Sequence, residues 1–200
     1  MLRGGFIVLA GLALLLLTGC AHEQEQVAMS PTAATTKQPD AQMLEQRNNA
    51  ASLLYDLLND EKNVNKLLYI KRADKPLKHL VDAIAHSCGD AQKQMDDLVK
   101  ADPALNVHAL ELPAGEVATR KAIAKTKEHE LLFNSGEEFQ FQLLLTQTDA
   151  LSYGWHLAQI CADNSTQPEE VREFKGIRVA MEDLYGQVVT MLKTEPASAH

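Results

Sequence analysis

Between Leu77 and Leu98 the apolar residues Leu77, Val81, Ile84, Cys88, Ala91, Met95 and Leu98 recur in alternating steps of four and three. Only an α-helix puts positions so spaced on one face, so this segment is read as an amphipathic helix with Cys88 inside its buried stripe. Lys75-Pro76 opens it, because proline is tolerated in a first turn, and Asp102-Pro103 closes it.

The rest of the chain follows the same period. Met43, Leu44, Ala51, Leu54, Leu57 and Leu58 imply a first helix from Gln42 to about Asn59 with Asp40 as its cap. Leu67, Leu68 and Ile70 continue that pattern over Val64–Lys71, and Asn59–Asn63 is its weak point. Ala104–Pro113 reads as a loop. Gly115–Phe133 is helical but weakly striped and crowded by Arg120, Lys121, Lys125 and Lys127, which suits a peripheral helix. Ser135 and Glu138 have capping-box spacing and start a helix that runs to about Ala162. That helix is apolar nearly all round, as a buried helix is. Thr166 and Glu169 form a second capping box before the stripe Val171, Phe174, Ile177, Met181, Leu184, Val188 and Met191. No window alternates with a period of two, so the expected fold is all-α, an antiparallel four-helix bundle with shorter pieces.

The start of the chain has a different character. Arg3 precedes an apolar run from Phe6 to Leu17, about twelve residues where a bilayer-spanning helix needs about twenty. It reads as an export signal and not as a permanent span. Leu17-Thr18-Gly19-Cys20 follows and resembles the lipobox of bacterial lipoproteins. That resemblance implies diacylglyceryl transfer to the Cys20 thiol, removal of residues 1–19, and acylation of the new amino terminus. Three acyl chains hold a protein on a membrane without any polybasic patch. Ala21 follows the cysteine instead of the aspartate that marks inner-membrane retention, which favours the periplasmic face of the outer membrane.

Without residues 1–19 the chain keeps 18 basic against 27 acidic residues. Such a surface repels phosphate backbones, so nucleic acid is not an expected partner. Cys88 and Cys161 remain, an even pair in a compartment where disulfides persist. A bridge closing about 73 residues is the expectation, worth about 4 kcal/mol in the chain-entropy account. Two small buried thiols that never meet are the alternative. Spacing excludes a redox pair of the Cys-x-x-Cys kind.

From Leu112 to Leu192 the helix order and the opening Ser135-Gly136-Glu137-Glu138-Phe139 are similar to a ferritin-like, four-helix family of unknown function among bacterial envelope proteins. The resemblance implies that fold over about residues 42–193 and no particular activity. Many members carry a histidine about twelve residues after the phenylalanine; Leu151 stands there in this chain. A site built on that histidine is therefore absent or displaced.

Ferritin-like bundles that hold two metals use Glu-x-x-His pairs, and no Asp or Glu here precedes a histidine by three positions. No metal site and no cofactor is expected. His79, Asp82, His86 and Asp90 share a helix face, but it lies away from the stripe through Val81, Ile84 and Cys88 and reads as solvated. Asp149, Tyr153 and His156 fall on one face of the most apolar helix, where polar groups must find partners. They are the candidate ligand-binding cluster, with a satisfied structural network as the plainer reading. Nothing argues for catalysis.

The expected organisation is thus a signal peptide (1–19), a lipidated flexible tether (20–40), a helical bundle (41–194) and a disordered tail (195–200). The expected function is that of a non-enzymatic, membrane-anchored envelope lipoprotein with a structural or protein-binding role. The alternative is a small-ligand or metal-binding bundle using Asp149, Tyr153 and His156.

Overall fold

The computed structural model describes residues 40–109 and 112–194, all within one compact unit, residues 38–200. The expected signal peptide, Cys20, the expected tether up to residue 39 and the expected disordered tail 195–200 lie outside the described residues. Every regular element described is helical: α1 (Ala41–Glu61), a 3-10 segment (Val64–Tyr69), α2 (Lys75–Ala101), α3 (Ala114–Phe133), α4 (Gly136–Asp163) and α5 (Pro168–Thr194).

Local chemistry sets the boundaries. Asp40 accepts a hydrogen bond from Gln42 N, and Asp74 accepts one from Leu77 N ahead of Pro76. The weak point after Asn59 is a real break: α1 ends at Glu61, and Asn63 turns its amide back onto the Asn59 carbonyl at 2.9 Å. The capping box at Ser135 does not form. Gly136 takes φ +60°, which only glycine adopts without cost, and Ser135 makes no capping hydrogen bond. Glu169 likewise pairs with Arg172, and no hydrogen bond joins it to Thr166.

The helix α4 packs on α5 and α1, and α2 packs on α1 and α5, while α3 touches only α4 to any extent. Side-chain contacts give the directions. Arg47 meets Asp102 and Tyr55 meets Asp96, so α1 and α2 are antiparallel. Cys161 meets Arg47 and Gln147 meets Glu61, so α1 and α4 are antiparallel too. The core draws Leu54 and Leu58 from α1, Ile84 and Met95 from α2, Phe139 and Leu151 from α4, and Phe174 and Met181 from α5. Each such side chain contributes about 1.5–3 kcal/mol through its burial. Side chains of two other helices press on Gly154, where a Cβ would fall 2.2 Å from Met181 Cε and 2.9 Å from Leu57 Cδ2. No described helix is long and apolar enough to cross a membrane.

Candidate functional site

The sequence cluster Asp149, Tyr153 and His156 does not converge. Asp149 and His156 are exposed. His156 stacks on Trp155, and its Nδ1 lies 2.7 Å from the Ser152 carbonyl oxygen. The Tyr153 hydroxyl accepts a hydrogen bond from Arg120 of α3 at 2.8 Å, and the guanidinium sits 5.1 Å over its ring. Tyr153 therefore fastens α3 to α4.

The expected pairing of Cys88 with Cys161 is corrected: both thiols are free and buried. Cys161 Sγ lies 3.8 Å from the Arg47 carbonyl oxygen, whereas Cys88 sits near Glu61. Arg47 and Glu61 are fourteen positions apart on α1, about 21 Å along its axis. A disulfide needs Cα atoms within about 7 Å, so the two cysteines occupy levels of the core that cannot meet. Burial pushes the Cys88 thiol up to about 12, with the Glu61 charge adding to it. Burial also pushes the Cys161 thiol up. Neither is a nucleophile at neutral pH.

On α2, His86 pairs with Asp90 and Asp82 accepts from Asn65, and His79 is exposed, so these groups form the solvated face that the stripe implies. Among the described residues no group of three or more His, Cys, Asp or Glu side chains is placed to hold a metal.

Sequence reasoning missed two polar clusters in the core. The first joins the ends of α1, α2 and α5. Arg47, 1 % exposed, donates from Nη1 to Glu170 at 2.8 Å and to Asp102 at 3.0 Å. Its Nη2 and Glu170 Oε1 are buried without partners. Burial raises the Glu170 carboxyl, and the adjacent Asp102 adds to that. Burial also works upward on Asp102, but the neighbouring Glu170 carboxyl, the Ala104 amide and Arg47 outweigh it and leave Asp102 low. The second cluster is mid-core. Gln147 Nε2 donates to Glu61 at 2.9 Å, and Gln147 Oε1 is buried without a partner. Burial pushes the Glu61 carboxyl up to about 7; Asp60 reinforces that and the Gln147 hydrogen bond opposes it. Position 61 carries no sequence signal of this, since Asn59–Asn63 reads as a polar break.

The feature best suited to a partner is an open groove of about 1100 Å³ where the α2 and α4 amino termini meet the second half of α5. Asp74, Glu137, Glu182 and Asp183 line it together with Val179 and Met191, and Arg178, outside the lining, pairs with Glu182. The helical period builds it: Val179, Asp183, Gly186 and Thr190 lie on one side of α5, and Ile177, Met181, Leu184 and Val188 on the core side. The groove lies at the end of the domain opposite Asp40. Gln140, in its wall, holds the Asp74 amide at 3.1 Å. Beside it, Lys71 binds the carbonyls of Leu132 and Asn134, and Tyr69, Ile70 and Phe133 expose apolar surface at the same end. No protein-family model, curated protein or solved structure matches the chain.

Proposed function

We propose that this chain is a non-enzymatic lipoprotein of the bacterial envelope, held on the membrane through lipid at Cys20, whose helical domain binds protein. We also read α1, α2, α4 and α5 as a ferritin-like four-helix bundle with α3 as its crossover. In that reading α3 reverses direction between the parallel helices α2 and α4. The observation that carries the binding role is the acid-lined groove at the end opposite Asp40, with Tyr69, Ile70 and Phe133 exposed at the same end. Exposed apolar surface gathered at one place is a mark of interaction sites. The anchor rests on Leu17-Thr18-Gly19-Cys20 and the apolar run before it.

Two experiments test the two halves. Mass spectrometry of protein taken from membranes should give a triacylated peptide beginning at Cys20, and Cys20→Ala should abolish both the modification and the membrane association. A wild-type chain recovered unmodified and freely secreted would refute the anchor. For the binding role, chemical cross-linking in intact cells should trap the domain with a protein through the groove.

A further inference from the structure

We propose that the end of the domain carrying Tyr69, Ile70, Leu132 and Phe133 is a second membrane contact that lies on anionic lipid headgroups. The inference rests on the lipid-anchor reading above for the reach of the domain, and it leaves the groove to the protein partner.

Two neighbouring segments build the surface. The link between the 3-10 segment and α2 exposes Tyr69 (84 %) and Ile70 (69 %), and the last turn of α3 exposes Phe133 (74 %) and Leu132. Lys71 holds the segments together, since its Nζ donates to the Leu132 carbonyl at 2.5 Å and to the Asn134 carbonyl at 2.7 Å. His129, one turn before Phe133, stacks on that ring at 4.3 Å. The helix α3 buries only Leu131, and residues 121–126 are exposed throughout, so the described residues leave its outer side uncovered.

The charge around these side chains runs against that of the whole chain. Lys62 to Lys78 holds six of the nineteen basic residues and one of the twenty-seven acids, Asp74, which is engaged as the cap of α2. Among the described residues, exposed Lys66, Arg72, Lys75 and Lys78 make no ion pair. Lys75 and Lys78 stand in the first turn of α2, which carries no acid, and a cation there opposes the helix dipole. Helix stability therefore does not account for them, whereas a surface of anionic headgroups does. Glu137 and Glu138, in the first turn of α4, stand at the same end but are outnumbered. Glu182 and Asp183 lie at least about 16 Å back from Thr194 along α5, and charges beyond about 8 Å are screened at physiological salt.

Exposed aromatic and aliphatic side chains beside lysines suit a face that rests in the membrane interface. The rings enter at headgroup depth, and the long cationic stems reach the phosphates. Chain length permits the contact. The domain starts at Asp40, at its other end; α2 is about 40 Å long, and the twenty residues from Cys20 to Pro39 reach at most about 70 Å. The bilayer that holds Cys20 is thus presented to this face at high effective concentration, as no free partner is.

The test is made on the full chain extracted from membranes and reconstituted into vesicles of phosphatidylethanolamine and phosphatidylglycerol. Ser135→Cys at this end, or Gln42→Cys at the other, carries a polarity-sensitive fluorophore, and a chain without an added cysteine measures background labelling. Lipid bearing a nitroxide at the headgroup should quench the probe at position 135 about fivefold more than the probe at position 42. Three changes should each cut the quenching at position 135 by about threefold or more: Lys66→Gln with Arg72→Gln and Lys75→Gln, Tyr69→Ser with Phe133→Ser, and vesicles of phosphatidylcholine alone. If a variant loses its helical circular dichroism, the comparison of the two vesicle compositions decides. Equal quenching at both positions, or none at position 135, overturns the contact. Quenching indifferent to lipid charge overturns the anionic headgroup as its partner. A fluorescence shift that grows with protein density and is not quenched by the lipid assigns the face to a second copy and overturns the membrane contact. Where mass spectrometry finds Cys20 unmodified, the anchor fails, and the same labelled chain mixed with the vesicles still decides for or against this face.

Discussion

Arg47 and Glu170 are 123 positions apart and meet inside the domain, where each charge has given up its water. Such a pair adds little over a well-packed apolar pair, but losing one partner strands the other. Arg47→Met should therefore destabilise the fold by about 3–5 kcal/mol in urea denaturation, and adding Glu170→Leu should restore most of it. A single variant that costs under about 1 kcal/mol would show that Glu170 stays hydrated. Glu61 gives the pH dependence. Its folded carboxyl sits at about 7 and its unfolded one at 4.5, so the fold is penalised where the unfolded chain ionises first. The contribution of Glu61 should be fullest below pH 4.5 and decline by about 3 kcal/mol as pH rises through 7, while Asp102, held low, contributes in the opposite sense at acid pH. Glu61→Gln should flatten that slope, and a slope unchanged in this variant would assign it to other groups. Neither cluster is legible in the sequence. Arg47 and Glu61 look like ordinary polar residues of a surface helix, and only their tertiary neighbours bury Arg47 and half-bury Glu61.

The stripes of α2 and α5 could be read directly, because steps of three and four are local and the core needs them whatever the topology. Caps were less legible. Asp40 caps α1 as expected, whereas Ser135 is overridden by the left-handed backbone at Gly136. The polarity of α3 also marked it as peripheral, but its nearly unpacked middle depends on what α4 presents to it. Amide hydrogen exchange should follow this: residues 121–126 should exchange orders of magnitude faster than the α4 interior, because their opening breaks almost no burial. Protection equal to that of Leu143–Leu151 in dilute monomer would contradict the loose packing. At Gly154 the opposite holds. Gly154→Val places new atoms against Met181 and Leu57, and should cost about 1–3 kcal/mol in stability. A neutral result would mean that α5 moves away freely.

At the scale of the molecule, the two free thiols replace the expected staple and report on how the fold holds without one. The sequence offered only a count of cysteines and a compartment, and neither contains the distance of about 21 Å along α1 that keeps Cys88 and Cys161 apart. Stability must then come from a core shared by α1, α2, α4 and α5, with Cys88 in it near Glu61 and Cys161 near Arg47. If that core melts as one unit, each thiol becomes reactive only when the whole domain opens. Both should resist a maleimide in native buffer, since burial also holds each thiol in its protonated form. In graded urea the two should label with the same opening free energy, read by peptide mass spectrometry at each site. Should Cys88 react well before Cys161, α2 would be leaving a body that α1, α4 and α5 still maintain, and the domain would be two cooperative units instead of one.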